Sequence, residues 1–208
     1  MRAVLLLILL LSGCSIAPKA PPVEDLDAAW AEHQRRLSAI QRWQMEGKLA
    51  LRSEQQSGSA QLWWRQNRQQ FDLRLTPPFG VGKLRIRGDE ESVVLYPASG
   101  SPLRAANAET LLQQAVGWSL PLQSLRYWVL GLPAEATEIQ LNDQGRLQSL
   151  VYQGWQVSFV AYQTFEDVMV PSELLLRYQT LELRLAIHEW KLNPVNAVSS
   201  SRLRPPSD

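Results

Sequence analysis

The folded part of this 208-residue chain is decided by one alternating stretch, Trp43-Gln44-Met45-Glu46-Gly47-Lys48-Leu49-Ala50-Leu51-Arg52. Its odd positions are apolar or glycine, and its even positions are mostly polar or charged. Successive side chains of a strand point to opposite faces, so this alternation predicts an antiparallel strand with one apolar face and one wet face. The sequence therefore predicts that a one-sided β-sheet forms the body of the protein.

The same pattern recurs downstream and predicts about ten strands, at 43–52, 60–65, 71–75, 83–87, 92–96, 138–141, 147–152, 155–162, 173–178 and 181–190. Helical spacing predicts three helices, at 24–42, 107–116 and 123–130, with Asn107 as an N-cap and Gly117 as a stop. The chain is therefore of the α+β class, with an antiparallel sheet that curls and helices across its mouth. Such a sheet either packs solid or encloses a cavity, and periodicity does not decide between the two.

Composition excludes several functional classes. The chain is 45% hydrophobic and 20% charged, and 21 basic against 20 acidic residues give a net charge of +1, so nucleic acid is not an expected partner. A single cysteine excludes a disulfide framework, and the two histidines, His33 and His188, stand apart and are expected to be solvated or locally hydrogen-bonded. Phosphate-loop, His-Glu-x-x-His and Gly-x-Ser-x-Gly motifs do not occur. We therefore expect no enzyme, no catalytic residue, no metal and no cofactor.

The N-terminus has the features of a lipoprotein signal. Residues 1–13 carry one basic residue and a short apolar run, and Leu-Ser-Gly precedes Cys14, which resembles the lipobox of bacterial lipoproteins. A buried free cysteine within an ordinary signal sequence is the alternative. Residues 14–23 then form a lipidated N-terminus and a proline-rich spacer, and Ser15 after the cysteine points to the outer membrane in this resemblance. Cleavage leaves a nearly neutral chain, so electrostatic attraction is not expected to hold it on an anionic surface. Residues 193–208 are expected to be a flexible tail.

One loop between two predicted strands stands out, Thr76-Pro77-Pro78-Phe79-Gly80-Val81-Gly82. Prolines stiffen one side and glycines permit a sharp return, which places Phe79 at the tip. Either Phe79 folds back onto the core, or it points outward as a rigid apolar finger. Burial of one phenylalanine in lipid contributes about 1.5–3 kcal/mol, enough to orient a tethered protein but too little to anchor it.

The chain resembles the LolB family of outer-membrane lipoprotein receptors over nearly its whole length. The resemblance rests on the lipobox, on 75–80, on the hairpin at 142–155 and above all on Pro121-Leu122-Gln123-Ser124-Leu125-Arg126-Tyr127-Trp128-Val129-Leu130-Gly131-Leu132-Pro133. It implies that residues 24–192 form a strongly curved, open antiparallel barrel of ten to eleven strands, covered by three helices around a hydrophobic cavity. It also implies a protein of the outer membrane, facing the periplasm, that takes lipoproteins from the carrier LolA and inserts them into the membrane lipid.

Two groups of site residues follow. The membrane-insertion loop is Pro78, Phe79, Gly80 and Val81, and the family commonly has leucine where this chain has Phe79. The expected acyl cavity is lined by Leu49, Leu51, Trp64, Leu73, Leu75, Trp118, Leu125, Trp128, Trp155, Val157 and Phe159, for each of which plain core packing is the alternative. The expected partners are a LolA-like carrier, acylated lipoprotein cargo and membrane lipid, and the protein is expected to be a monomer.

Two other functions are alternatives to this one. A structural lipoprotein that docks partners in an envelope assembly machine would have a solid core and an exposed sheet edge. A lipid-cleaving hydrolase would need a nucleophile and a base, and the sequence contains no motif that supplies them.

Overall fold

A single eleven-stranded antiparallel sheet forms the body of the protein. The computed structural model describes residues 22–80 and 82–193. The strands are β1 (Arg42–Arg52), β2 (Ser57–Asn67), β3 (Gln70–Thr76), β4 (Leu84–Gly88), β5 (Val93–Tyr96), β6 (Leu103–Ala105), β7 (Glu138–Leu141), β8 (Leu147–Tyr152), β9 (Trp155–Phe165), β10 (Val168–Tyr178) and β11 (Leu181–Leu192). Their order is β6-β5-β4-β3-β2-β1-β11-β10-β9-β8-β7, so β1 pairs with β11 and the two edge strands are not joined.

Three helices cover this open sheet: α1 (Leu26–Ser38), α2 (Ala108–Val116) and α3 (Leu122–Trp128). The α2–α3 segment connects β6 to β7, the two edges of the sheet, so the chain must cross from one edge to the other through these helices. Asn107 caps α2 by accepting the Thr110 N–H at 2.9 Å, and Gly117 ends it with a φ of 80°. Both caps agree with the sequence prediction.

The core begins at the centre of the sheet, where three tryptophans from three adjacent strands meet. The Trp43 ring lies edge-on to Trp64 at 5.1 Å and to Trp190 at 5.3 Å between centroids. All three side chains are buried, and Trp64 Nε1 donates to Gln66 Oε1 at 3.1 Å. Edge-to-face pairs of this kind stabilise beyond the area they bury. Close packing at this point joins the N-terminal and C-terminal halves of the sheet.

Gly47 marks an irregularity where β1 and β11 pair. The register shifts between Glu46 and Gly47, and a Cβ at position 47 would overlap the carbonyl oxygen of Ala186. Only glycine permits this close approach of two backbones, and such bulges increase the local twist. The bulge therefore contributes to the curvature of the sheet at its centre.

The α+β class, the open antiparallel sheet and the three helices are confirmed, with several local differences. Strand β2 covers 57–67 instead of 60–65, and β9 extends to Phe165 instead of 162. Strand β6 was not predicted, α1 is shorter than 24–42, and β10 begins at Val168 instead of 173. Proline argues against a central strand, but Pro171 is accommodated because the register of β10 with β9 shifts next to it. The described helices include none that is long and apolar enough to cross a membrane. The predicted signal 1–13, Cys14, the spacer up to residue 21 and the tail from residue 194 lie outside the described residues.

Candidate functional site: an apolar cavity and an exposed loop

An apolar cavity lies between the concave face of the sheet and the α2–α3 segment. All of its lining residues are apolar: Leu49, Leu62, Trp64, Leu73, Leu75, Ile86, Leu112, Trp118, Leu120, Leu122, Leu125, Leu176, Leu183 and Leu185. They come from β1–β4 and β10–β11 below and from α2, α3 and the linker between the helices above. Leucine side chains dominate, and the lining offers almost no fixed polar group that would select one ligand shape.

The cavity is nearly closed in this structure. Its volume is about 30 Å³, close to the share of one water molecule, whereas ligand pockets are roughly 300–1,000 Å³. Four larger grooves, of about 510 to 600 Å³, are more open to solvent and have polar or charged side chains in their linings, so none offers an acyl chain a wholly apolar surface. The apolar space can admit a fatty chain only after the covering helices have moved outward.

Six of the eleven residues predicted for the acyl cavity lie around this space: Leu49, Trp64, Leu73, Leu75, Trp118 and Leu125. The structure does not place Leu51, Trp128, Trp155, Val157 and Phe159 among them. Three of these five are covered by a neighbouring aromatic ring, since Trp128 lies edge-on to Tyr152, Trp155 stacks on Tyr178 and Phe159 stacks on Tyr162. These three side chains therefore belong to the packed core beside the cavity.

Eight lining residues were not singled out from the sequence: Leu62, Ile86, Leu112, Leu120, Leu122, Leu176, Leu183 and Leu185. The alternation predicts that the strand residues among them face inward, but it predicts the same for many residues that do not border the cavity. Which part of that core borders the cavity depends on where α2 and α3 cross the sheet, and no periodicity carries that information.

Trp118 adds one polar feature to the cavity. It lies in the linker between α2 and α3, and its indole N–H is buried without a hydrogen-bond partner among the described residues. An unpaired buried donor costs free energy unless a ligand acceptor satisfies it. A carbonyl group at the end of an acyl chain has the chemistry to do so.

Phe79 lies at the tip of the β3–β4 loop and is fully exposed, at 102% relative accessibility. Pro78–Gly80 form one 3-10 turn, and Phe79 adopts a φ of 63° there, which is uncommon for a bulky residue. The side chain therefore does not fold back onto the core. Val81, the fourth residue of the predicted insertion loop, lies outside the described residues.

Metal-ligating chemistry is not visible in the part of the chain that the structure describes, where no group of three or more His, Cys, Asp or Glu side chains converges. His33 differs from the expected solvated or locally hydrogen-bonded state. It is half-buried between Trp30 and Tyr162, with ring centroids 6.4 Å away in each case, and its Nε2 has no hydrogen-bond partner among the described residues. Burial, followed by the charges of Arg146 and Arg36, lowers the pKa of His33 to about 4.

Comparison with known proteins gives a consistent result. The sequence profile described as "Outer membrane lipoprotein LolB" matches residues 41–190. The chain is 36% identical over 189 residues to the outer-membrane lipoprotein LolB of Pseudomonas syringae pv. syringae, covering 89% of this chain and 92% of that protein. It is 37% identical over 189 residues to that of Cellvibrio japonicus, covering 88% and 91%.

Solved structures support the fold. A LolA superfamily protein from Nitrosomonas europaea matches with a TM-score of 0.51 at 8% identity, covering 80% of this chain and 94% of that one. A DUF1329 family protein from Desulfovibrio piger matches with a TM-score of 0.52 at 6% identity, covering 84% and 94%. At such identities the likeness concerns the fold only. The profile match and the relatives establish that this chain belongs to the LolB family of outer-membrane lipoproteins.

Proposed function

We propose that this protein is an outer-membrane receptor, facing the periplasm, that accepts lipoproteins from a LolA-like carrier and inserts them into the outer membrane. The observation that carries the proposal is the wholly apolar cavity between the curved sheet and α2–α3. Fatty chains have no polar groups along their length, so a lining without polar groups suits them. Family membership supports the location in this proposal, since relatives in this family are themselves outer-membrane lipoproteins.

Energetics determine how cargo must enter. One acyl chain of ~15 methylenes at ~0.8 kcal/mol each costs about 12 kcal/mol to expose to water. Release into solvent would be unfavourable by a factor of roughly a billion. The cargo must therefore pass directly from the carrier cavity to this one, and the helices must move apart as it enters, because the closed cavity holds only about 30 Å³.

The exposed loop accounts for the delivery step. Phe79 is the only large hydrophobic side chain of the described residues that is completely exposed, and it projects from a turn stiffened by proline. Its insertion into lipid contributes about 1.5–3 kcal/mol, which orients a tethered protein toward the bilayer. The direction of transfer then follows from the affinity for the acyl chains, which is higher in this protein than in the carrier and highest in the membrane.

A structural lipoprotein that docks envelope partners is the second candidate, and the small size of the cavity favours it. The exposed edges of the sheet argue the other way. Strand β6 has three residues and β7 has four, so each offers little backbone for a partner strand to pair with.

The deciding experiment mixes a cargo-loaded carrier with the unlipidated chain beginning at Ser15, which retains all of the described core between Leu37 and Trp190. Transfer of the cargo supports the receptor, whereas a stable complex without transfer supports the structural role. In the lipidated protein, Phe79→Glu should leave uptake intact and block delivery into liposomes. Val160→Glu changes another exposed apolar residue and serves as the control. Equal delivery by the two variants would show that the loop takes no part in delivery.

A further inference from the structure

The outer face of β2–β6, opposite the core, is strongly basic. Its outward positions hold five arginines, Arg65, Arg74, Arg85, Arg87 and Arg104, and a single carboxylate, Asp72. The face therefore carries four net positive charges. The near-neutral total of the sequence conceals this segregation, because acidic residues elsewhere balance the count.

Asp72 holds three of these arginines side by side. Its carboxylate accepts hydrogen bonds from Arg85 at 2.6 and 2.9 Å and from Arg74 at 3.1 and 3.4 Å, and Arg87 Nε lies 3.9 Å away. The Asp72 side chain is 5% exposed, but those of the three arginines are 39–51% exposed. One buried anion thus orients the guanidinium groups of Arg74 and Arg85 and attracts that of Arg87, while all three side chains remain partly exposed.

Aromatic side chains border the arginines on both sides. The register places Trp63, Arg74, Arg85 and Tyr96 in one row across four strands. The Arg74 guanidinium lies over the Trp63 ring at 4.2 Å from the centroid, and Tyr96 is 38% exposed. Tryptophan and tyrosine concentrate at the headgroup level of membranes, where one end of the ring is apolar and the other is wet.

The basic face is also positioned next to Phe79. Arg74 is two residues from the end of β3 and Arg85 is the second residue of β4, so both lie within roughly 7 Å of the strand ends from which the Phe79 loop projects. Lys83 in that loop is exposed and adds a further positive charge. The acidic turn, Asp89-Glu90-Glu91, lies at the opposite end of β4. Positive charge therefore increases toward the end of the sheet that carries the apolar finger.

We propose that this arginine face binds the phosphate groups of anionic phospholipids in the membrane surface that Phe79 enters. Guanidinium groups contact phosphate oxygens through pairs of parallel N–H donors, and several basic residues near an anionic bilayer add their attractions. This binding serves the proposed delivery step, and its role therefore rests on the proposed function. The binding to lipid itself requires no cargo. Phe79 orients the loop toward the bilayer, and the arginine face adds a second area of contact, so that the two together fix the tilt of the sheet.

The test measures binding of the unlipidated chain beginning at Ser15 to phosphatidylcholine vesicles with and without phosphatidylglycerol. The informative variant is Arg65→Gln/Arg104→Gln, since neither side chain contacts Asp72 in the structure. Arg177→Gln/Arg184→Gln removes the same charge from the outward face of β10–β11 and is the matched control. We expect binding only to the anionic vesicles, loss of binding at high salt, and about fivefold weaker binding per arginine, or roughly 25-fold for the pair.

Three results would overturn the proposal. The first is equal binding to neutral and anionic vesicles, and the second is equal binding by the two double variants. The third is a defect of Arg65→Gln/Arg104→Gln that is confined to cargo uptake, which would show that the face binds the carrier instead of lipid. Because the vesicle assay contains no lipoprotein, binding to anionic vesicles combined with failure of cargo transfer would refute the receptor function and leave the arginine face intact.

Discussion

Arg126 of α3 and Glu90 of the β4–β5 turn form an ion pair, with 3.1 Å between Nη2 and Oε1. Arg126 is largely buried, at 14% side-chain exposure, and the same Nη2 donates to the Tyr127 hydroxyl at 3.0 Å. Glu90 also accepts from Gln69 at 2.8 Å, so one carboxylate links α3 to two turns at one end of the sheet. Since α3 carries Leu122 and Leu125 over the cavity, this pair stabilises the closed position of the helix.

Glu90→Gln should therefore accelerate opening. The variant keeps the shape of the side chain and removes its charge, at a cost of about 0.5–1 kcal/mol to the closed state. We expect uptake of a fluorescent fatty acid to become up to about fivefold faster and amide exchange in α3 to increase. Arg177→Gln breaks an exposed pair on β10–β11 that is remote from the helices, and it should change neither rate. Unchanged exchange in α3 would show that another contact holds the helix closed.

The boundary of the cavity can be tested with two leucines on one strand. Leu49 and Leu51 share the inward face of β1 and are both partly buried, but only Leu49 borders the cavity. Leu49→Phe should reduce the affinity for an acyl ligand severalfold because the added ring occupies the space, whereas Leu51→Phe should bind normally. Titration of tryptophan fluorescence measures both, and Trp64 and Trp118 in the lining report directly. Equal effects would place the acyl chain elsewhere on the concave face.

Ten of the eleven strands were predictable because one face of the sheet is buried and the other is wet, so their residues alternate between apolar and polar. Strand β7 and strand β8 agree with the prediction to the residue. Strand β6 has only Leu103, Arg104 and Ala105, and three residues are too few to show a repeating alternation. The β1–β11 pairing, which joins Leu49 to Leu185 across most of the chain, depends on contacts that no local pattern contains.

The candidate site was predictable only in part, for a related reason. The alternation of apolar and polar residues predicts that Leu73 and Trp155 both face inward, and both are buried. Trp155 is then covered by Tyr178 from the neighbouring strand β10, whereas Leu73 borders the space beneath the helices. The choice between core and cavity is made by tertiary packing. Net charge likewise could not reveal that five arginines converge on one face.

Asp72 should be important for stability. Burial opposes ionisation of its carboxyl, but hydrogen bonds and charges from Arg85 and Arg74 outweigh burial and hold the pKa of Asp72 below its ordinary value. Asp72→Asn leaves the clustered arginines without their counter-charge and should lower the free energy of unfolding by about 2 kcal/mol. Urea denaturation measures the difference. Glu182→Gln, at an exposed pair with Arg177, should cost less than about 1 kcal/mol.

The Asp72 effect has a defined pH dependence. A carboxyl whose pKa is lower in the folded state stabilises fully above the pKa of the unfolded chain, about 3.9, and the contribution disappears as the pH falls through the folded value. Wild type and Asp72→Asn should therefore differ by a constant amount at neutral pH and converge in acid. A difference that persists at low pH would assign the cost of the substitution to packing.

His33 should make a separate contribution at higher pH. Its folded pKa of about 4 lies below the ordinary value of 6.5 because burial, Arg146 and Arg36 all oppose the imidazolium. Between these values the unfolded chain binds the proton and the folded chain does not, so stability should fall as the pH drops from 6.5 toward 4. After allowance for solvent screening, the loss should be on the order of 1–2 kcal/mol.

The matched test for this contribution compares His33→Phe with His188→Gln in denaturant titrations across that range. Phe retains an aromatic ring between Trp30 and Tyr162 but cannot titrate, so the slope of stability against pH should flatten. His188 is exposed on β11, and its replacement is the control for removing a histidine away from the Trp30–Tyr162 contact. The Asp72 contribution is lost mainly below about pH 5, so it overlaps only the acid end of this window and is absent between about pH 5 and 6.5. A wild-type slope in His33→Phe would mean that the imidazole is already solvated in the folded protein.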